Sequence, residues 1–211
     1  MKILFAKKVD INTISKQLGN DFLVDCMEFI KTENHKISPF EIKDKLLIFT
    51  SVNGVHSFLE NGFSLKGHRI LVVGSKTRDA VISHFGKVEK TFAYASEMAK
   101  FIKTQLKGVY FLHFCGNLSL DILPQNEYYQ KIISYQTHLL FPKIEKDYDA
   151  VVFFSPSGVK SFALHNSFEN KHFFAIGNTT KQALQQYTNN ITTSPTANLA
   201  GILTEILNST K

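Results

Sequence analysis

Hydroxyl side chains and glycines gather at four places in this 211-residue chain, each where a strand-like run meets a helix-like one. The four are Thr50-Ser51-Val52-Asn53-Gly54, Gly74-Ser75-Lys76-Thr77, Ser155-Pro156-Ser157-Gly158 and Gly177-Asn178-Thr179-Thr180. A helix start presents unpaired N–H groups and a partial positive charge. Glycine lets the backbone come close to a ligand, and Ser or Thr caps the helix or donates to an oxyanion. Such corners suit carboxylate or phosphate. The plain alternative is that each corner only caps its own helix, as any α/β protein requires. Four similar corners in two matched pairs shift the balance toward a cleft lined from two sides by anion-binding turns.

Other chemistry is poorly represented. Ser155 and Ser157 lack the preceding glycine of a GxSxG nucleophile elbow. Neither a Walker A loop nor GxGxxG occurs. The eight histidines show no HxH or HExxH spacing, so no catalytic metal is expected. Glu127, Asp147 and Asp149 read as solvated loop charges. A reaction here would depend on binding geometry more than on an activated side chain.

The elements that must position these corners follow from periodicity. Strands are expected at 2–7, 22–30, 46–51, 69–74, 88–93, 109–114, 150–155, 173–177 and 190–193. Helices are expected at 12–19 (with Asp10 as N-cap), 53–61, 76–85, 95–107, 157–166, 179–187 and 197–208. NLSLDILP at 117–124 reads as a short helical piece, 128–141 as a long strand, and the polar 32–44 stretch with Pro39 as a connector. Strands alternating with helices of about ten residues indicate parallel βαβ units. The chain also repeats itself. LIFTSVNGVHSF at 47–58 and VVFFSPSGVKSF at 151–162 agree at Phe49/Phe153, Ser51/Ser155, Gly54/Gly158, Val55/Val159, Ser57/Ser161 and Phe58/Phe162. ILVVGSKTRDAV at 70–81 and FFAIGNTTKQAL at 173–184 then share Gly74/Gly177, Thr77/Thr180 and Ala80/Ala183. Ser51 to Gly74 is 23 residues and Ser155 to Gly177 is 22. Two similar α/β domains explain this economically. The first strand-helix-strand unit and the block after 143 are each too small alone, so they are expected to join. The expected boundaries are an outer discontinuous domain (1–33 and 143–211), an inserted domain (44–134) and connectors at 34–43 and 135–142.

Composition bounds the rest. A hydrophobic share of 44% and a charged share of 20% are those of a soluble globular protein. The apolar runs are strand-sized, so no membrane span is expected, and the N-terminal apolar run is too short for a signal peptide. A cytoplasmic location is the expectation, and a monomer the plain one. Cys26 and Cys115 stand far apart outside any CxxC, as small core residues rather than a disulfide or zinc framework. The net charge of +6 suggests an anionic partner. Of 24 basic residues only Arg69 and Arg78 are arginine, and the lysines are scattered. Nucleic-acid readers lean on clustered Arg, so the details argue against nucleic acid, and small polyanions remain open.

At these corners the sequence resembles the uroporphyrinogen-III synthase family. The pieces that carry the likeness are LIFTS (47–51), VVGSKT (72–77), FCGNLSLDILP (114–124), SYQT (134–137), FFSPSG (153–158) and AIGNTT (175–180), in the family's order, with MKILFAK fitting its N-terminus. FFSPSG plus IGNTT at this spacing is the specific part. The resemblance covers nearly the whole chain. It implies two flavodoxin-like α/β domains, the outer one discontinuous, joined by a two-stranded linker. It also implies an activity: closing linear hydroxymethylbilane, a polycarboxylate, into uroporphyrinogen III with inversion of ring D and loss of water, without a cofactor. By the family's motif Tyr135 is the candidate proton donor or water-orienting group, the plain alternative being a tyrosine packed in the linker. Thr77, Thr179 and Thr180 match motif threonines. Ser51, Asn53, Gly116, Asn117, Ser155, Ser157 and Gly158 would line the substrate's space. Lys7-Lys8 stands where many bacterial members have Arg-Pro, and Val52-Asn53 replaces Pro-Ser. A rival reading from another class is a two-lobed module that binds a tetrapyrrole or other small polyanion without turnover.

Overall fold

The structure, a computed structural model, describes residues 1–209. By contacts the chain divides into two compact units: Met1–Lys31 with the chain from His138 onward, and Thr32–Thr137.

The first unit has a five-stranded sheet in the order β11-β10-β9-β1-β2. Its strands are β1 (Lys2–Phe5), β2 (Leu23–Cys26), β9 (Ala150–Phe153), β10 (His172–Ala175) and β11 (Ile191–Thr193). Every pairing is parallel. The central strands β1 and β9 are buried on both faces, as continuous apolar runs in a parallel sheet require. Helices α1 (Ile11–Leu18) and α7 (Leu199–Asn208) cover one face through Ile14, Leu18, Ile202 and Ile206. Helices α5 (Pro156–Ala163) and α6 (Asn178–Leu184) cover the other through Val159, Phe162 and Leu184. Asp10 caps α1 as expected, accepting from the Thr13 N–H.

The second unit holds β4 (Leu46–Phe49), α2 (Val52–Glu60), β5 (Ile70–Val73), α3 (Ser75–Phe85), β6 (Lys90–Phe92), α4 (Ala95–Gln105) and β7 (Phe111–Gly116). Its sheet also contains β3 (Ile30–Asn34) and β8 (Tyr129–Leu139), in the order β3-β8-β7-β4-β5-β6. The pairs from β8 to β6 are parallel. β3 runs antiparallel to β8, since bonds join His35 N to Ser134 O and Leu140 N to Phe29 O. Alternate β4 residues face opposite layers: Leu46 and Ile48 meet α4, while Leu47 and Phe49 meet α2 and α3. Ile37, Phe40 and Ile42 of the polar connector pack on the same core as α2.

The two sheets have one topology with different chain starts. Counted from the repeated corner, the second unit runs β4, β5, β6, β7, β8, and the first runs β9, β10, β11, then β1 and β2. Both then give the spatial order 3-2-1-4-5. β1 therefore corresponds to β7, and β2 to β8. This permutation is why the sequence repeat shows only its strand-corner-helix part. The direction of progression reverses between β4 and β7 in one sheet and between β9 and β1 in the other. Ligands of open α/β sheets gather at such switch points, beyond the strands' carboxyl ends.

Two expectations are corrected. Residues 22–30 are not one strand: β2 ends at Cys26 and β3, from Ile30, belongs to the other sheet. Phe29 between them is fully buried against Phe153 and Phe162, which turns the chain inward. An apolar run does not say which sheet it joins. Residues 117–124 form a turn and loop, not a helix. The Ser119 N–H bonds Gly116 O, the Ser119 carbonyl accepts Lys131 Nζ, and Asn117 is engaged with Thr137, so the local groups a helix needs are taken.

Candidate active site

The six repeated positions first do structural work. Phe49 meets Phe58 edge-on at 5.4 Å, and Phe153 meets Phe162 edge-on at 5.3 Å. Ser51 and Ser155 cap α2 and α5, accepting the N–H of Gly54 at 3.2 Å and of Gly158 at 3.1 Å. Gly54 permits close packing of α2 on β7, because a Cβ there would stand 2.6 Å from the Phe114 carbonyl oxygen.

Beyond capping, the second unit's switch point assembles several of the expected residues. Ser51 follows β4, and Gly116-Asn117 ends β7. Tyr135 of β8 lies opposite Gly116, where the ladder between β7 and β8 shifts register. The Tyr135 hydroxyl is 2.8 Å from Ser51 Oγ. Its ring lies over Gly116, where a Cβ would stand 2.6 Å from Cζ and 3.0 Å from the hydroxyl oxygen. Only glycine fits there, for space. Asn117 clasps the same strand: its N–H bonds Tyr135 O at 3.2 Å, and its Oδ1 accepts the Thr137 N–H at 2.8 Å. Burial raises the Tyr135 pKa above the ordinary 10, partly offset by hydrogen bonds from Ser51 and the Gly116 backbone. The phenol keeps its proton at neutral pH. The Ser51–Tyr135 hydroxyl pair shares one hydrogen bond in which either oxygen can be the donor.

The remaining residues are distributed differently. Asn53 is exposed on the first turn of α2, and Thr77 is buried in the first turn of α3. In the first unit Ser155 and Gly158 form a cap, Ser157 is half-buried, Thr179 is exposed and Thr180 is buried in α6. No cluster of three or more His, Cys, Asp or Glu able to hold a metal ion exists among the described residues.

Sequence reasoning missed two features. Thr50, next to Ser51, bonds His113 Nε2 at 2.9 Å, and His113 Nδ1 bonds the Tyr129 hydroxyl at 3.1 Å. Burial, then the nearby Lys131 charge, depresses the His113 pKa to about 4, and burial pushes Tyr129 up to about 12. A lone His inside FLHFC gave no signal beyond a core strand. The second feature is a pair of asparagines. Asn61 Nδ2 donates to His35 O and Ser57 O while its Oδ1 accepts the Ile37 N–H. Asn166 does the same with Pro142 O, Phe162 O and the Ile144 N–H. They follow Phe58 and Phe162 by three and four residues, and that one-residue offset hid the match.

Two doubly wound sheets, with serine-capped helix starts after β4 and β9 and a tyrosine beside the switch point of one of them, define an α/β protein. The sequence matches the family model for uroporphyrinogen-III synthase HemD over residues 16–204. The chain belongs to the uroporphyrinogen-III synthase family, lyases of haem biosynthesis that act on hydroxymethylbilane. Among solved structures it is similar to uroporphyrinogen-III synthetase from Helicobacter pylori 26695, at 19% identity and a TM-score of 0.68, covering 100% of this chain and 99% of that one. It is also similar to a mutant uroporphyrinogen III synthase from Thermus thermophilus, at 13% identity and a TM-score of 0.66, covering 99% and 98%. At these identities the likeness is one of fold. No curated protein sequence matches the chain. No helix among the described residues is long and apolar enough to cross a membrane.

Proposed function

We propose that the chain closes hydroxymethylbilane to uroporphyrinogen III through the Ser51–Tyr135–Gly116 constellation, with Tyr135 as proton donor to the departing hydroxyl or as the group that orients the released water. The Tyr135 hydroxyl, raised in pKa and supported by Ser51 over Gly116, is the observation that carries this reading. An electron-rich pyrrole assists loss of its own hydroxyl group, so the protein's main task is to hold the chain for closure at the substituted carbon. Proximity and orientation supply much of that rate, and a positioned donor adds to it. The free N–H groups at the starts of α2, α3 and α5, with Asn53, Ser155 and Ser157, bind the substrate's carboxylates, while Ser51 and Asn117 line the same space and hold Tyr135. Thr77 and Thr180, being buried, shape the corners, while Thr179 contacts substrate. Two flavodoxin-like domains with a two-stranded linker, acting as a cytoplasmic monomer on a small molecule without nucleic acid or membrane, complete the reading.

The test is an isomer assay. Hydroxymethylbilane generated in situ is incubated with the protein, and the oxidised products are separated by chromatography. Uncatalysed closure gives uroporphyrin I. A switch to uroporphyrin III is expected, and Tyr135→Phe is expected to slow it. Isomer I alone from folded protein would leave a non-catalytic tetrapyrrole-binding module as the better account.

A further inference from the structure

The helix that meets the Tyr135 hydroxyl at one end also grips the backbone beside Tyr135 further along. We infer that Ser57 is a positioning residue for Tyr135, an inference that rests on the role given to Tyr135 above.

Ser57 is fully buried on α2, and its hydroxyl donates to the carbonyl oxygen of Ser134. The same carbonyl accepts the His35 N–H at 2.9 Å. On the other side of Tyr135, the Gln136 Oε1 is held by the His35 ring at 3.0 Å. Asn61, which ends α2, donates to the His35 carbonyl at 2.8 Å and so ties His35 to the same helix. Both chain neighbours of Tyr135 are thus anchored to α2, and Gly116 backs the ring. Ser51 and Ser57 sit roughly 9 Å apart along one helix axis, at 1.5 Å per residue. That helix is itself seated against Phe114 through Gly54. One rigid body therefore sets the backbone of Tyr135 through Ser57 and meets its hydroxyl through Ser51. If the Ser134 carbonyl moved, the hydroxyl would leave Ser51 even with every residue of the site intact.

The first unit supplies an internal control. Ser161, the repeat partner of Ser57, accepts the Phe141 N–H at 2.8 Å, and Asn166 plays the part of Asn61. The segment held there, Phe141-Pro142-Lys143-Ile144, carries no hydroxyl to aim. Both serines hold a backbone segment, Ser57 as donor and Ser161 as acceptor, but only Ser57 acts next to a tyrosine.

The experiment uses full-length protein with tyrosine labelled at ¹³Cζ, the Tyr135 resonance being assigned by its loss in Tyr135→Phe. Ser57→Ala is expected to shift or broaden that resonance, and Ser161→Ala to leave it in place. In the isomer assay, Ser57→Ala should lower kcat roughly tenfold or more with KM nearly unchanged. Placed on Tyr135→Phe, it should add nothing, because the group it positions is gone. Ser57→Cys, of similar shape with a weak donor, should recover part of the loss, and it carries the same measurements if Ser57→Ala does not fold. An unmoved Tyr135 resonance in the Ser57 variants, or independent additive losses in the double variant, would overturn the inference. Absence of any isomer III activity in the wild type would instead overturn the reading of Tyr135, and the resonance would still decide whether Ser57 positions it.

Discussion

His113 should give the protein a measurable acid weakness, and its size follows from where the ring sits. The side chain is 1% exposed on β7, with its ring nitrogens bonded to Thr50 and Tyr129. Burial takes its pKa from the ordinary 6.5 to about 4. The unfolded chain therefore binds this proton first, so the neutral ring contributes its full stability above pH 6.5. That contribution is lost progressively as the pH falls toward 4. At about 1.4 kcal/mol per unit the full loss is on the order of 3 kcal/mol, of which about 2 kcal/mol falls between pH 7 and pH 5. The carboxylates held low in the folded state, such as Asp25 and Glu89, lose their contribution only below their ordinary values near 4, so the two windows separate. His172, also lowered by burial, acts in the same window as His113, which makes the comparison with a variant essential. The perturbation is His113→Gln and the assay is urea unfolding of both proteins at pH 7 and pH 5. At pH 7 the variant should be less stable by about 1–3 kcal/mol, from incompletely paired Thr50 and Tyr129 hydroxyls. By pH 5 the two should nearly converge, because the variant lacks the titrating ring. A stability difference that stays constant between the two pH values would refute the burial of a neutral imidazole at this position.

Three further outcomes are expected. Gly116→Ala places a Cβ against the Tyr135 ring, so the isomer assay should lose roughly tenfold or more in rate while far-UV circular dichroism is kept. Asn166→Ala removes partners from Pro142 O and the Ile144 N–H and should cost about 2–3 kcal/mol by denaturant unfolding; a loss below about 0.5 kcal/mol would contradict the bonds described. Cys115 is buried and its thiol is pushed up by that burial, so alkylation followed by mass spectrometry should modify it only on unfolding; rapid labelling of native protein at this residue would refute its burial.

Much of this protein was legible without coordinates because its signals are local. Asp10 before INTISKQL, and Ser51 and Ser155 before their helices, act within three residues of themselves, and the structure has them as caps. The apolar strands and the repeated Phe, Ser, Gly and Val positions carried the α/β reading and the existence of two related sheets. The family pieces are short contiguous stretches for the same reason. What the sequence could not express is partnership at a distance. Residues 22–30 serve two sheets, and hydropathy is identical whichever strand lies alongside. The correspondence of β1 with β7 is hidden by a permutation that leaves no common order in the chain. Tyr135 meets Ser51 across 84 residues, and Thr50 meets His113 across 63. The register shift between β7 and β8 puts Tyr135 opposite a glycine, which makes Gly116 a seat for its ring. Local residue types chose caps, strands and helices by short-range energetics. The packing of α2 against β7 and β8 decided which hydroxyls meet, because that depends on two helix faces and a strand register that no window of sequence contains.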